Sequence, residues 1–491
     1  MGAGALPPRA LARALGALAA LAAALGLAAQ PPGALAGVAG GGASGPQPTR
    51  SAPAGSAHGA PRKGARSHRE APAQLPRGRD HSPLFAVTMP PVGLSMEYPV
   101  LASYLGSGPC PPPALTSALR ALGSPPLRIG GNSQDMVAPA GALIGTPPDW
   151  ESAILYSLPA GFWPTLHCLL EGSPDRIEVG LNAKAGGLPW AQAMVAGADS
   201  AATAGVEFSI GNEPDLYYLP DFASLGSYQY DEAGLVGTYL QVAQAIRPAI
   251  GDDPLIGPEL ARPSDWRRQL GRYIAAMHPQ TIGVHLYPLS ACGTSSPTIA
   301  QLLSAQAIDA PAQIAWAAAD AARAHLPAII SEANSAACGG APGISDAPAS
   351  AVWAIGFVLS ALQSGFREVR FHFSGGYYDP FIMRGGALIE RPLLPALEAL
   401  NSLLPVGSSV QALPGVHNLL ASIIHLSDGG QEQVFIDDHE RPQRLLLYSR
   451  AAENAELFSS ARPGLQRITL LPHAGRIEVR LAADTALIIL P

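Results

Sequence analysis

Beyond residue 80 the chain has no cluster of Lys and Arg, no Cys/His group with zinc-site spacing, and no glycine-rich nucleotide loop set between a strand and a helix. It also lacks self-similarity at a fixed period, which gives no support to a solenoid. With 53 Gly and 49 Pro among 491 residues it is too interrupted for a long coiled coil, whereas 48% hydrophobic residues allow large cores. Of 30 Lys+Arg, nine lie at or before residue 80, and of 37 Asp+Glu only two do. The remainder carries 21 against 35, a net charge near −14, twice the −7 of the whole chain. Such a field disfavours nucleic acid and sulfated polysaccharide as partners.

The N-terminus has the form of an export signal. Arg9 and Arg13 precede the apolar stretch 14–29, and Ala34-Leu35-Ala36 offers a cleavage site, so residues 1–36 are expected to be removed. The stretch is mostly Ala and falls short of the roughly 20 strongly apolar residues that span a bilayer. The expected location is therefore extracytoplasmic, with no integral membrane span after cleavage. Residues 37–83 are rich in Gly, Pro, Ser, Ala and basic side chains, a composition that reads as a disordered linker. Its seven Lys/Arg between residues 50 and 80 serve either as a tether to an anionic envelope or as a solvated spacer.

Eight short apolar runs follow, separated by helical stretches: 92–97, 127–130, 177–182, 206–211, 255–257, 281–287, 328–331 and 368–373. Helices are expected over 191–204, 234–250, 310–324 and 349–363. This alternation predicts a (β/α)8 TIM barrel over 84–390. After residue 391 the pattern changes to short alternating runs (419–425, 432–436, 444–448, 466–471, 476–481 and 485–490), the signature of an antiparallel β-sandwich over 391–491. The segment 84–89 is a candidate extra strand of that sandwich. Cys292 and Cys338 fall in the loops after the sixth and seventh barrel strands, which neighbouring parallel strands bring together, so a disulfide between them is expected. Cys110 and Cys168 either pair or remain buried thiols.

Two of the apolar runs end in glutamate: Phe208-Ser209-Ile210-Gly211-Asn212-Glu213-Pro214 and Ile329-Ile330-Ser331-Glu332-Ala333-Asn334. A buried strand that stops at a carboxylate before Pro or a polar turn delivers it to the rim of a barrel, where substrates bind. The 119 residues between them leave room for three strand-plus-helix units of about 40 residues. Glu213 thus follows strand four and Glu332 strand seven, facing one pocket. Two carboxylates so arranged are what glycosidic bond hydrolysis requires, and that chemistry needs no metal or cofactor.

The segments Leu127-Arg128-Ile129-Gly130-Gly131-Asn132-Ser133-Gln134-Asp135, Gly211-Asn212-Glu213-Pro214-Asp215, His285-Leu286-Tyr287-Pro288 and Ser331-Glu332-Ala333-Asn334-Ser335 resemble the successive motifs of glycoside hydrolase family 79. That family holds β-glucuronidases and heparanase-like enzymes with a catalytic barrel and a β-sandwich. The resemblance runs from about residue 84 to the end. It implies a retaining mechanism, with Glu213 as general acid/base and Glu332 as nucleophile. It also implies that Asn212 donates to the sugar 2-hydroxyl, and that Glu97 and Asp135 hold other hydroxyls; the alternative for those two carboxylates is a capping or turn role. Tyr287 is placed to hydrogen-bond the nucleophile.

No matched motif ends in a free basic residue that would clamp a uronic carboxylate. Arg128, inside strand two, reads as a structural arginine under the pocket, and Lys184 either as a cation for the site or as an exposed side chain. The resemblance implies tyrosine hydroxyls and backbone N–H groups instead, available from Gly339 in the loop after strand seven and from Tyr377 and Tyr378 after strand eight. Tyr217, Tyr218 and Trp190 are either aromatic walls for sugar faces or packing residues; His285 and His372 sit near strand ends. The expected partner is a glycan or glycoside containing glucuronic or 4-O-methylglucuronic acid, attacked at its terminus. The alternatives are heparanase-like endo cleavage, a neutral sugar (arabinofuranoside or xyloside), and a non-catalytic carbohydrate-binding protein.

Overall fold

A computed structural model describes residues 73–74, 83–142, 156–171, 176–217, 232–413, 419–437, 442–449 and 451–490. The export signal, nearly all of the linker and Tyr218 lie outside the described residues.

Eight parallel strands close into a barrel: β1 (Val92–Glu97), β2 (Leu127–Gly130), β3 (Arg176–Leu181), β4 (Gly205–Ile210), β5 (Leu255–Leu260), β6 (Thr281–Leu286), β7 (Ala328–Ala333) and β8 (Val369–Phe373). Closure runs through β8 and β1, with Val369 opposite Val92 and Phe373 opposite Met96. The strands read as continuous apolar runs because both of their faces are covered: β5, β7 and β8 are buried at every residue. One set of side chains meets the surrounding helices, and the inward set carries charge, including Arg128, Glu178, Glu259 and Arg370, all buried.

The helix Ala349–Gln363 is apolar all round, and 14 of its 15 residues are buried. A helix of that kind must be covered on every side, and here Trp353 meets Phe371 of β8 edge-on while Gln363 reaches Ser422 of the C-terminal sheet. The helical stretch expected over 310–324 is two helices, Ala310–Gln313 and Ala315–Arg323. A last helix, Leu393–Leu403, packs back on the barrel, where Asn401 Oδ1 accepts from the Val92 amide and Asn401 Nδ2 donates to the Leu122 carbonyl.

An antiparallel pair, Phe381–Arg384 with Ala387–Glu390, precedes that helix, and the C-terminal antiparallel strands follow it. Those C-terminal strands are β9 (Ser409–Ala412), β10 (Leu420–His425), β11 (Gln431–Asp437), β12 (Gln443–Leu447), β13 (Glu453–Ser459), β14 (Arg462–Leu470), β15 (Ile477–Leu481) and β16 (Thr485–Ile489). Seven strands form one sheet in the order Leu84–Ala86, β9, β10, β11, β16, β13, β14; Ala73–Gln74, β12 and β15 form a second. The short strand Ala73–Gln74 lies within the stretch expected to be linker, and pairs with Leu445 and Leu446 of β12. Alternation divides the seven-stranded sheet. Val434, Ile436, Ala486 and Ile488 join the barrel core, while Phe435, Leu487 and Ile489 join Leu445, Leu447, Ile477 and Leu481 between the sheets.

Candidate active site

Glu213 is presented by a turn that the local sequence makes obligatory. β4 ends at Ile210, and Gly211 follows at φ +72, where a Cβ would come within 2.5 Å of Tyr217 Oη and 2.9 Å of Ala183 Cβ. Glu213 itself is left-handed, at φ +51 and ψ 53, a conformation that costs a non-glycine residue about 1 kcal/mol or more. It is held by its own backbone: the Glu213 amide donates to the Glu259 carbonyl at 3.0 Å and its carbonyl accepts from Leu216 at 2.9 Å. The neighbouring Asn212 amide donates to Asp135 Oδ2 at 3.0 Å, and Asn212 Nδ2 donates to Asn132 Oδ1 at 3.2 Å.

Glu332 lies in β7, opposite His285 of β6 at a shift in register. Four side chains surround its carboxylate. Tyr287 Oη donates to Oε1 at 2.8 Å, Arg128 Nη1 donates to Oε2 at 2.7 Å, His372 Nδ1 lies 3.5 Å from Oε2, and His285 Nδ1 lies 3.9 Å from Oε1. His285 also bridges to the other glutamate, with Nδ1 2.9 Å from Glu213 Oε1. One carboxylate oxygen from each glutamate and a nitrogen of His285 all lie within 4.8 Å of one another. Such a grouping of donors can also hold a cation, but here Arg128 and the imidazoles supply the positive charge beside Glu332.

These contacts set the electrostatics. Burial alone would push the Glu332 carboxyl up, but the charges of His372, His285 and Arg128 and the Tyr287 hydrogen bond hold it well below the usual carboxylate range. The converse holds for His285: burial would lower it, yet Glu332 and the hydrogen bonds to Glu213 and Glu259 raise it to about 10. His372 is also raised, by Glu332 and Glu97 against the effect of burial. The result is an ionised carboxylate and a second carboxyl group facing it across a short gap.

Among the other predicted residues, Glu97 accepts from the amides of Asn132 and Ser133 at 3.0 and 2.7 Å and touches His372 at 3.4 Å. Asp135 is only 1% exposed and accepts from Asn212, Ala183 and Tyr217, so it ties together the loops after β2, β3 and β4. Cys292 and Cys338 form a disulfide, and Cys110 pairs with Cys168. The first bridge is backed by Leu289–Ser290 pairing with Ala336–Ala337. Gly339 accepts from the Tyr377 amide at 2.6 Å, which joins the loops after β7 and β8. Tyr377 is 40% exposed; Tyr378 is buried, its ring 6.2 Å from that of Tyr287 and 6.1 Å from that of His372.

Several placements depart from expectation. Lys184 is not exposed: its side chain is 5% accessible, with Nζ 3.8 Å from Asp135 and 4.2 Å from the centre of the Tyr217 ring. Trp190 lies over Gly186. Arg128 does lie under the pocket, but it also reaches into it, binding Glu332 and, through Nη2, Asn212 Oδ1 at 2.9 Å. The two histidines had no assigned role, and they contact the glutamates directly. For His285 a signal was present, since it lies two residues before Tyr287 and so shares its side of an extended strand.

No protein-family model and no curated relative matches the chain by sequence. Solved structures do match, among them glycoside hydrolases. A 4-O-α-L-rhamnosyl-β-D-glucuronidase from Fusarium oxysporum 12S superposes with a TM-score of 0.65 at 18% identity, over 85% of this chain and 99% of that one. A family 51 α-L-arabinofuranosidase from Bifidobacterium longum gives 0.59 at 12% identity, over 85% and 99%. The catalytic domain of GH30 xylanase C from Talaromyces cellulolyticus gives 0.51 at 12%, also over 85% and 99%. At these identities the likeness is one of fold: a closed eight-stranded parallel barrel with an added antiparallel region.

Proposed function

We propose that this chain is an exported retaining glycoside hydrolase of the family 79 type, which removes a terminal β-linked glucuronic or 4-O-methylglucuronic acid. The observation that carries the mechanism is the carboxylate spacing. Oxygens of Glu213 and Glu332 approach within 4.8 Å, in keeping with the roughly 5–5.5 Å between carboxyl groups in retaining enzymes and too short for the water that inverting enzymes place between theirs. Glu332, kept ionised, attacks the anomeric carbon as the glycosidic bond breaks, and Glu213 gives its proton to the departing oxygen. Glu213 then takes a proton from water, the hydroxide adds to the same carbon, and Glu332 leaves. Asn212 Nδ2 donates to the 2-hydroxyl, its orientation fixed by Arg128 on Oδ1.

Two features support a uronic acid, and a third bears on its being a single terminal one. The solved structure with a TM-score of 0.65 is named for a glucuronidase. The loops after β7 and β8, joined by the Tyr377 amide donating to the Gly339 carbonyl, would offer the N–H groups of Gly339 and Gly340 and the Tyr377 hydroxyl, donor types suited to a carboxylate. The net charge near −14 beyond residue 80 favours a single terminal acid over a sulfated chain. Export is supported by the two disulfides, and no helix of the described residues is long and apolar enough to cross a membrane. A neutral pentoside is the competing substrate, favoured by the arabinofuranosidase fold match. A panel of p-nitrophenyl β-glucuronide, β-glucoside, β-xyloside and α-arabinofuranoside separates the two: preference for the glucuronide is expected, and preference for any other member rejects the uronic acid.

A further inference from the structure

Beneath the two catalytic glutamates lies a third carboxylate that the double displacement leaves without a task. Glu259 belongs to β5, is 0% exposed, and stands at φ +61 in a strand whose pairing with β6 shifts register between Gly283 and Val284. A bulge of this kind re-aims a side chain. The Glu259 carboxylate is re-aimed into the barrel, and room is made for it: a Cβ on Gly283 would come within 1.9 Å of Glu259 Oε1.

Among the described residues, the side-chain contacts of the Glu259 carboxylate converge on one oxygen. His285 Nε2 lies 2.9 Å from Oε2, Ser331 Oγ donates to it at 2.8 Å, and Arg128 Nε lies 3.3 Å away, whereas Oε1 accepts no hydrogen bond among the described residues. The same imidazole presents Nδ1 to Glu213 Oε1 at 2.9 Å. A histidine between two carboxylates can serve both as donor only when both nitrogens carry protons. The charged and titratable groups around it come from every side: Arg128 on β2, Glu178 on β3, Glu213 after β4, Glu259 on β5, Glu332 on β7, and Tyr239 and Tyr273 from the helices behind Glu259. Glu259 is itself held below the usual carboxylate range, because Arg128 and the hydrogen bonds from His285 and Ser331 outweigh the effect of its burial.

Building on the retaining-glycosidase reading, we propose that Glu259 is a positioning residue that keeps His285 a double donor, so that Nδ1–H occupies Glu213 Oε1 and confines the transferable acid proton to Oε2. Without that constraint a neutral His285 could accept from Glu213, and the acid proton would sit on the oxygen turned to the imidazole. The cation also stands between the two catalytic carboxylates, where it assists ionisation of Glu332 when Glu213 is protonated.

The test uses the whole protein labelled with [13C]histidine, with His285 assigned by the resonance lost in His285→Gln. In the wild type its ring should remain cationic through pH 8; a neutral ring at pH 7 overturns the proposal without any further variant. In Glu259→Gln the midpoint should fall by about two pH units or more. With the best glycoside from the panel, the basic limb of kcat/KM should move down by about one pH unit or more, because the His285 ring becomes neutral at lower pH. At a pH above its own imidazole midpoint, the same variant should lose about tenfold or more in kcat with KM within about threefold. A folded Glu259→Gln protein with unchanged His285 titration and an unmoved pH profile contradicts the proposal. Because the imidazole titration needs no substrate, a chain that cleaves no glycoside would reject the glycosidase reading and leave the role of Glu259 decided by the spectrum alone.

Discussion

The interior of the barrel and the interior of the sandwich are built on opposite principles. Between the C-terminal sheets the packing is apolar: Leu413, Leu419, Phe435, Leu445, Leu447, Ile477, Leu481, Leu487 and Ile489. Inside the barrel the large buried groups are ionic. Arg128 pairs with Glu178, Glu259 and Glu332, and Arg370 with Glu178, Glu207 and Glu368. Buried ion pairs contribute little net stability because desolvation offsets their attraction, whereas each buried Leu, Ile or Phe contributes about 1.5–3 kcal/mol. The apolar layers, the larger one between barrel strands and helices and the smaller one between the sheets, therefore stabilise the molecule, and the barrel interior uses that stability to hold charged atoms in place. The seven-stranded sheet couples the two, since its other face packs into the barrel core.

This contrast can be broken from either side. The largest effect is expected from Glu332→Gly, which should lower turnover by roughly 10⁴-fold or more, with partial rescue by azide; turnover that survives would remove the nucleophile assignment. Next come paired substitutions of similar cost. Arg128→Met strands the carboxylates of Glu178, Glu259 and Glu332, and Phe435→Ala opens a cavity; each should cost about 3–5 kcal/mol in denaturant unfolding. Only the first should abolish turnover of the folded fraction, and a matching loss of kcat/KM in Phe435→Ala would erase the distinction. Cys292→Ser with Cys338→Ser, which opens a loop closed over 46 residues, should cost about 2–4 kcal/mol. Its activity signature should be a raised KM for the glucuronide with little change for a neutral glycoside.

The smallest effect is a pH trend in stability. His285 is raised from its ordinary 6.5 to about 10 in the folded state. Its contribution is fully present below pH 6.5 and is lost as pH rises through 10. Glu332, depressed, contributes above the ordinary carboxylate value and loses that contribution as pH falls below it. The melting temperature should therefore decline from pH 6.5 towards 10, more shallowly in His285→Gln than in the wild type. Equal slopes would show that the His285 ring is not held cationic by its neighbours.

The apolar architecture was the legible part of the sequence. Val92–Glu97 and Leu127–Gly130 begin and end where their hydrophobic runs do, and Leu84–Ala86 joins the C-terminal sheet as its pattern suggested. The ionic interior was harder to read. Glu259 lies in a strand expected to stop at Gly257, because Pro258 and an acidic residue look like a turn and nothing local reveals a partner contributed by β2 or β6. The exposed reading of Lys184 fails for a similar reason, since the Asp135 and Tyr217 that bury it are distant in sequence. β9 and β13 were not anticipated: Ser409–Ala412 is short, and Glu453, Asn454 and Glu456 dilute the alternation of the other. For the site, Glu213, Glu332 and Tyr287 could be named from strand ends, and the place of His285 two residues before Tyr287 was a signal, but its bridge to both Glu213 and Glu259 needed the third dimension.

The most direct test of the account is to trap the intermediate. Incubation with an activated 2-deoxy-2-fluoro-β-glucuronide, followed by proteolysis and mass spectrometry, should place one glycosyl group on the peptide containing Glu332, with inactivation following the extent of labelling. Turnover of β-glucuronides with no adduct, or with the label on any other side chain, would contradict it.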